Sequence, residues 1–187
     1  MRVAIVYESE FGATRAVAEA IGRGAASAGA GIVGLHNVHE LALAVWSPEH
    51  GDLLFVGAPT QEDDLPTAAT RSADATRADR HGSSLVLEPD ALMTGVREWL
   101  AQARLDGITA AAFGTQPSMS PLISGSSAQV IGRALVLAGA GVIDEQAFLV
   151  DSQSRLVTNE IERAEQWGAG VLTAALAARA AATAAPQ

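Results

Sequence analysis

Neither cysteine nor lysine occurs in this sequence. Without cysteine there are no disulfides and no thiolate metal sites. Without lysine, all twelve basic residues are arginines, and every phosphate site that depends on a lysine is excluded. Aromatic residues make up only 4% of the chain, so the core has to rest on Val, Leu, Ile and Ala. No apolar run is long enough to span a bilayer. The N-terminus runs straight into an apolar segment without the basic start and hydrophobic stretch of a secretory signal, so a cytoplasmic protein is expected. Positive charge is also scarce. The net charge of -9 should repel nucleic acid and anionic membranes and suits a partner with a basic face.

What is present is apolar and regular. At 187 residues, 49% hydrophobic and 18% charged, the chain is long and apolar enough to fold around a sizeable core. Short apolar runs alternate with helical patterns. Strands are expected at residues 2–7, 32–36, 52–57, 108–114 and 142–150. Helices are expected at 14–28, 39–46, 67–80, 91–102, 126–138 and 158–178, with Ser47-Pro48 stopping the second. The Gly139-Ala140-Gly141 stretch precedes a strand and is expected to close the helix before it. Strands with few polar interruptions, such as DLLFVG at 52–57, belong in a parallel sheet covered on both faces. The pattern predicts an α/β fold, a doubly wound five-stranded parallel sheet, as one domain over 1–180 with a frayed Ala-rich tail at 181–187.

Residues 3–14, VAIVYESEFGAT, carry the chemical information. A strand enters a helix through a short loop with hydroxyls at Ser9 and Thr14 around Gly12. Such a loop forms an anion pocket from backbone N–H groups and the helix dipole. A dinucleotide-binding domain would need G-x-G-x-x-G here, and a P-loop or a phosphorelay receiver would need a lysine. An ordinary turn, with Ser9 as the cap and Gly12 relieving strain, is the simpler alternative. His36 and His39 have no third ligand in view, so no metal site is expected. The acidic run Glu62-Asp63-Asp64 is expected to be a solvated loop, and Ser126-Ser127 a helix cap. Trp46, Trp99 and Trp167 are expected to be packing residues, and His50 and His81 to lie on the surface.

Here the chain resembles the flavodoxin family. The family's loop runs hydroxyl-x-(Thr/Ser)-Gly-x-hydroxyl, matched by Ser9-Glu10-Phe11-Gly12-Ala13-Thr14 after Val-Tyr-Glu. The resemblance continues through Gly57-Ala58-Pro59-Thr60, Phe113-Gly114-Thr115 and the final Glu165-Gln166-Trp167-Gly168. It implies a flavodoxin-like sheet in the order 2-1-3-4-5, with FMN as cofactor at the switch point between the first and third strands. It also implies cofactor contacts from Ser9, Glu10, Phe11, Gly12, Ala13 and Thr14, from Pro59, Thr60 and Gln61, and from Gly114, Thr115 and Gln116. Phe11 replaces the middle hydroxyl, Glu10 sets a carboxylate beside the phosphate, and the second and third loops lack a stacking aromatic.

The function implied is an FMN-binding electron-transfer protein, monomer or homodimer, working with a redox partner that has a basic face. The alternatives are a flavin-dependent NAD(P)H or quinone-type reductase, with residues 66–107 as lid or dimer face, and a flavin-free flavodoxin-like interaction protein.

Overall fold

The computed structural model of the chain describes residues 1–43, 52–118 and 125–184. Five parallel strands form one sheet, β1 (Arg2–Tyr7), β2 (Ile32–Asn37), β3 (Leu53–Pro59), β4 (Thr109–Pro117) and β5 (Gly141–Val150). Their order is β2-β1-β3-β4-β5, as expected. Among the described residues six helices connect and follow them: α1 (Ala13–Ser27), α2 (Val38–Leu43), α3 (Ala68–Ala78), α4 (Val96–Leu100), α5 (Ser127–Leu137) and α6 (Glu160–Ala184).

The two-residue repeat of a strand explains why both faces must be covered. In β1 and β3, Ala4, Val6, Leu54 and Val56 face a layer containing Leu100, Leu105, Ile131 and Leu135. Their neighbours Val3, Ile5, Leu53 and Phe55 face Val17, Ile21, Val171 and Leu172 of α1 and α6. Phe55, Phe113 and Phe148 are fully buried, at about 1.5–3 kcal/mol of transfer free energy each. Trp167 packs edge-on to Phe55 and Phe148, with ring centroids 5.5 and 6.0 Å away, and its indole N–H donates to Asp144 at 2.9 Å. Trp99 packs, half-buried, on the opposite face of the sheet.

Helices α1 and α6 touch through glycines. A Cβ on Gly168 would come within 2.5 Å of the Ile21 carbonyl oxygen, and one on Gly24 would collide with the Glu165 carbonyl. Only hydrogen side chains let the two backbones approach this closely.

Several boundaries differ from the sequence reading. Strands β3 and β4 run further than expected, through Pro59 and Pro117. The helix expected at 91–102 is only α4, because it starts after Gly95, whose amide donates to Glu98 at 2.9 Å. Pro89 and the turn donated by Met93 N–H to Asp90 O occupy the preceding residues. Helix α2 starts at Val38, where the Asn37 side chain accepts from His39 N–H. Helix α6 stays helical to Ala184, past the expected end at 178, because alanine has the highest helix propensity.

Ser126 caps α5, accepting from Gln129 N–H, and the Gly139 and Ala140 amides close it on Val136 and Leu135. Trp46, Ser47-Pro48, His50, Met119 and the tail after residue 184 lie outside the described residues.

Candidate functional site

The loop after β1 is held from beneath. Glu8 N–H extends the sheet by donating to Gly57 O at 3.0 Å. Ser9, buried, turns its hydroxyl oxygen to accept from Gly12 N–H at 3.1 Å, which leaves its own proton free to donate. Gly12 is the N-cap of α1, at φ +88°, a conformation that a side chain would strain. Ser9 therefore closes the loop and does not cap the helix. No side chain caps α1, and among the described residues the amides of Phe11, Ala13 and Thr14 have no protein acceptor. Open amides at the positive end of a fifteen-residue helix are what an anion requires. Thr14, also buried, shares a hydrogen bond of 2.8 Å with the Thr115 hydroxyl, tying the loop to β4.

The second loop turns tightly. Gln61 and Asp64 exchange backbone hydrogen bonds of 2.9 and 2.8 Å around Glu62 and Asp63. Both central residues have positive φ, 50° and 62°, as a type I′ turn requires. Thr60 N–H donates to Thr115 O at 2.7 Å, and the Thr60 hydroxyl accepts from Ser127 N–H at 3.0 Å.

Between these loops lies a cavity of about 430 Å³, open at the carboxyl ends of β1, β3, β4 and β5. Its size is in the range of small-molecule sites, and it sits where the strand order reverses. Of the residues expected to contact a cofactor, Glu10, Phe11, Ala13, Thr14, Pro59, Thr60, Gln61 and Thr115 line it. Ser9 and Gly12 shape the loop from outside the lining. Gly114 lies in β4, where a Cβ would collide with Ser127, and Gln116, between the lining residues Thr115 and Pro117, does not itself line the cavity.

Two walls were not anticipated. One is a stripe of α3, Thr70, Ala73, Asp74 and Arg77, and the other is residues 150–152 and Ser154 after β5. The α3 stripe has helical i, i+3, i+4, i+7 spacing, so its common face was readable, but not its direction.

The cavity wall is electrostatically crowded. Glu10, 3% exposed, meets the Gln61 side-chain amide at 2.7 and 2.6 Å, and that amide also meets Asp74. Burial, the contact with Asp74 and the nearby charges push the Glu10 carboxyl up to about 9. The neutral form of Glu10 is therefore favoured over the carboxylate expected beside the loop. Arg77 pairs with Asp74 at 3.0 Å and lies over the Phe11 ring, 5.4 Å from its centroid. Arg15, exposed, pairs with Glu88 at 2.8 Å, and Glu88 N–H donates to Glu10 O at 2.8 Å.

Beneath these groups, buried Glu8 accepts from Val96 N–H at 2.8 Å and from Arg71 at 3.2 Å, and Arg71 also binds Glu98 at 2.9 Å. Residues from 66 to 107 are thereby fastened to the loop at several points.

A doubly wound sheet in the order β2-β1-β3-β4-β5, with a hydroxyl-bearing, lysine-free loop at its switch point, defines a class of flavodoxin-like proteins. The chain belongs to the flavodoxin family, whose model matches residues 5–121. Its fold is similar to a flavodoxin from the domain Archaea, with 20% identity, 94% of this chain and 99% of that one covered, and a TM-score of 0.56. It is similar also to flavodoxin 1 from Bacillus cereus, at 18% identity, 92% and 98% coverage and a TM-score of 0.57. A flavodoxin of Streptococcus pneumonia TIGR4 gives 20% identity, 93% and 99% coverage and a TM-score of 0.55. At these identities the likeness establishes the fold. No curated protein matches the chain.

Proposed function

We propose that this protein binds FMN non-covalently and transfers electrons through it. The observation that carries this reading is the uncapped α1 N-terminus, with its open amides, at the edge of a cavity of about 430 Å³ over the switch point. The amides of Phe11, Ala13 and Thr14 and the Thr14 hydroxyl would hold the phosphate. Pro59, Thr60 and Gln61 would contact the ribityl chain and ring, with Thr115 beneath them. Bound FMN supplies one- and two-electron redox chemistry at its isoalloxazine ring, while the protein supplies placement and electrostatics.

Burial favours the neutral form of Glu10, which makes the donor set compatible with a dianion. Phe11 is the one aromatic residue among the described lining residues, and Arg77 already lies over it. Ring stacking therefore adds little, and the phosphate contacts carry most of the affinity. The net charge of -9 favours a redox partner with a basic face, steered by long-range attraction.

Protein purified after flavin supplementation should be yellow, and FMN fluorescence should quench on titration with the apo form. A colourless product with no quenching overturns the reading and leaves the flavin-free interaction protein. Mixed with NAD(P)H alone, the yellow protein should oxidise almost none of it. Rapid turnover would instead assign a reductase.

A further inference from the structure

We propose that Glu10 and Asp74 act as a one-proton carboxyl pair that links phosphate binding to a proton, so that the cavity takes phosphorylated flavin well only while the pair is protonated. The inference rests on the FMN reading above and deepens it.

The geometry asks for the proton. Three carboxyl oxygens, two from Glu10 and one from Asp74, crowd the single Gln61 Nε2, whose amide has only two N–H donors. Gln61 Oε1 is meanwhile buried with no partner. A proton on Glu10 relieves the crowding, because that carboxyl then donates one bond itself. Two carboxylates in contact cannot both ionise without strong repulsion.

Other groups set the balance. On the chain leading into its own loop, Glu8 disfavours a second charge. From α3, Arg77 pairs with Asp74 at 3.0 Å. Glu62 and Asp151 line the same cavity from the second loop and from the segment after β5, and both are acidic. Glu88 reaches the loop through its amide, while its carboxylate is taken by Arg15.

A phosphate held at Phe11, Ala13 and Thr14 would bring two more negative charges to the cavity whose wall Glu10 forms. It raises the cost of ionising Glu10, and by linkage an ionised Glu10 weakens the phosphate equally. Glu10 is pushed up to about 9, which puts the loss of affinity in the alkaline range. The phosphate of a monoester is already a dianion above about pH 6, so its own titration does not interfere. There is no lysine or cysteine to titrate in this range, and the α-amino group lies at the far end of β1.

The test is a set of fluorescence titrations with FMN and with riboflavin between about pH 7 and 9.5, together with calorimetry of FMN binding in two buffers of different ionisation enthalpy. For the native chain, the FMN dissociation constant should rise up to about fourfold over this interval, while riboflavin, sharing the ring but not the phosphate, changes less than about 1.5-fold. Binding of FMN near pH 9 should take up a fraction of a proton. Glu10→Gln and Asp74→Asn should each flatten the FMN profile.

A flat FMN profile with no proton uptake in the native chain overturns the inference and leaves the FMN function standing. An unchanged slope in both variants does the same. Absence of FMN binding at every pH, in native chain and variants alike, overturns the function itself. The calorimetric result needs no variant, so a substitution that prevents folding does not remove the test.

Discussion

Thr14 shows how much a single side chain has to do in this loop. Its hydroxyl joins β4 through Thr115 and stands at the first turn of α1, beside amides that have no other acceptor. A hydrogen bond to a charged group contributes about 1.5–3 kcal/mol, against about 1 kcal/mol for a neutral pair. Thr14→Val should therefore weaken FMN by roughly 1.5–3 kcal/mol and leave riboflavin within about 0.5 kcal/mol of its native affinity. Isothermal titration with both ligands measures this, and equal losses would place the phosphate elsewhere.

The sequence exposed Thr14, Gly12 and Ser9 as loop residues because strand, loop and helix are contiguous there. Glu10 was legible only as an awkward carboxylate. What raises it is burial first and then Asp74, brought from α3 by the fold, and no local pattern encodes either.

At the scale of elements, the strands were visible because burial on both faces leaves nearly unbroken apolar runs, as in β3. The α4 boundary was not, because a Glu98 side chain capping the Gly95 amide decides where the helix begins. The role of residues 66–107 was equally hidden. The decisive contact is Arg71, 4% exposed, which joins α3 to Glu8 at the end of β1 and to Glu98 in α4.

Removing one partner of a buried ion pair leaves an uncompensated charge and costs about 3–5 kcal/mol. Arg71→Met should lower unfolding stability by about that amount near pH 8, measured as a fall in the urea midpoint. Burial already holds the Glu8 carboxyl above its ordinary range, and Arg71 opposes that rise. Without Arg71 the carboxyl takes up a proton more readily, so the cost should shrink toward pH 5. A midpoint that does not move would mean that α3 is held by its apolar contacts alone.

The whole molecule combines an acidic surface with two buried carboxyls that resist ionisation. Glu8 is raised mainly by burial, and Glu10 by burial and by Asp74. A carboxyl raised in the folded state keeps a proton that the unfolded chain has released. Its stabilising contribution is fully present below the ordinary carboxylate value and fades as pH rises, for Glu10 through about 9.

Asp64 works in the opposite sense. The Leu65 amide and then Arg97 hold it below its ordinary range, so its contribution is lost only in more acidic solution. Glu98 does likewise, since the bonds from Arg71 and the Gly95 amide outweigh its burial. Between these limits the apo protein should be most stable at mildly acidic pH. The melting temperature should be higher near about pH 5.5 than near about pH 9.

Repulsion among surface carboxylates pushes the same way, because the chain carries -9 at pH 7. Salt separates the two contributions, since about 0.5 M NaCl screens exposed charges but hardly touches a buried pair. The alkaline fall should therefore persist in salt and largely vanish in Glu10→Gln. A fall abolished by salt and unchanged in Glu10→Gln would assign it to the surface and place the Glu10 charge in contact with water.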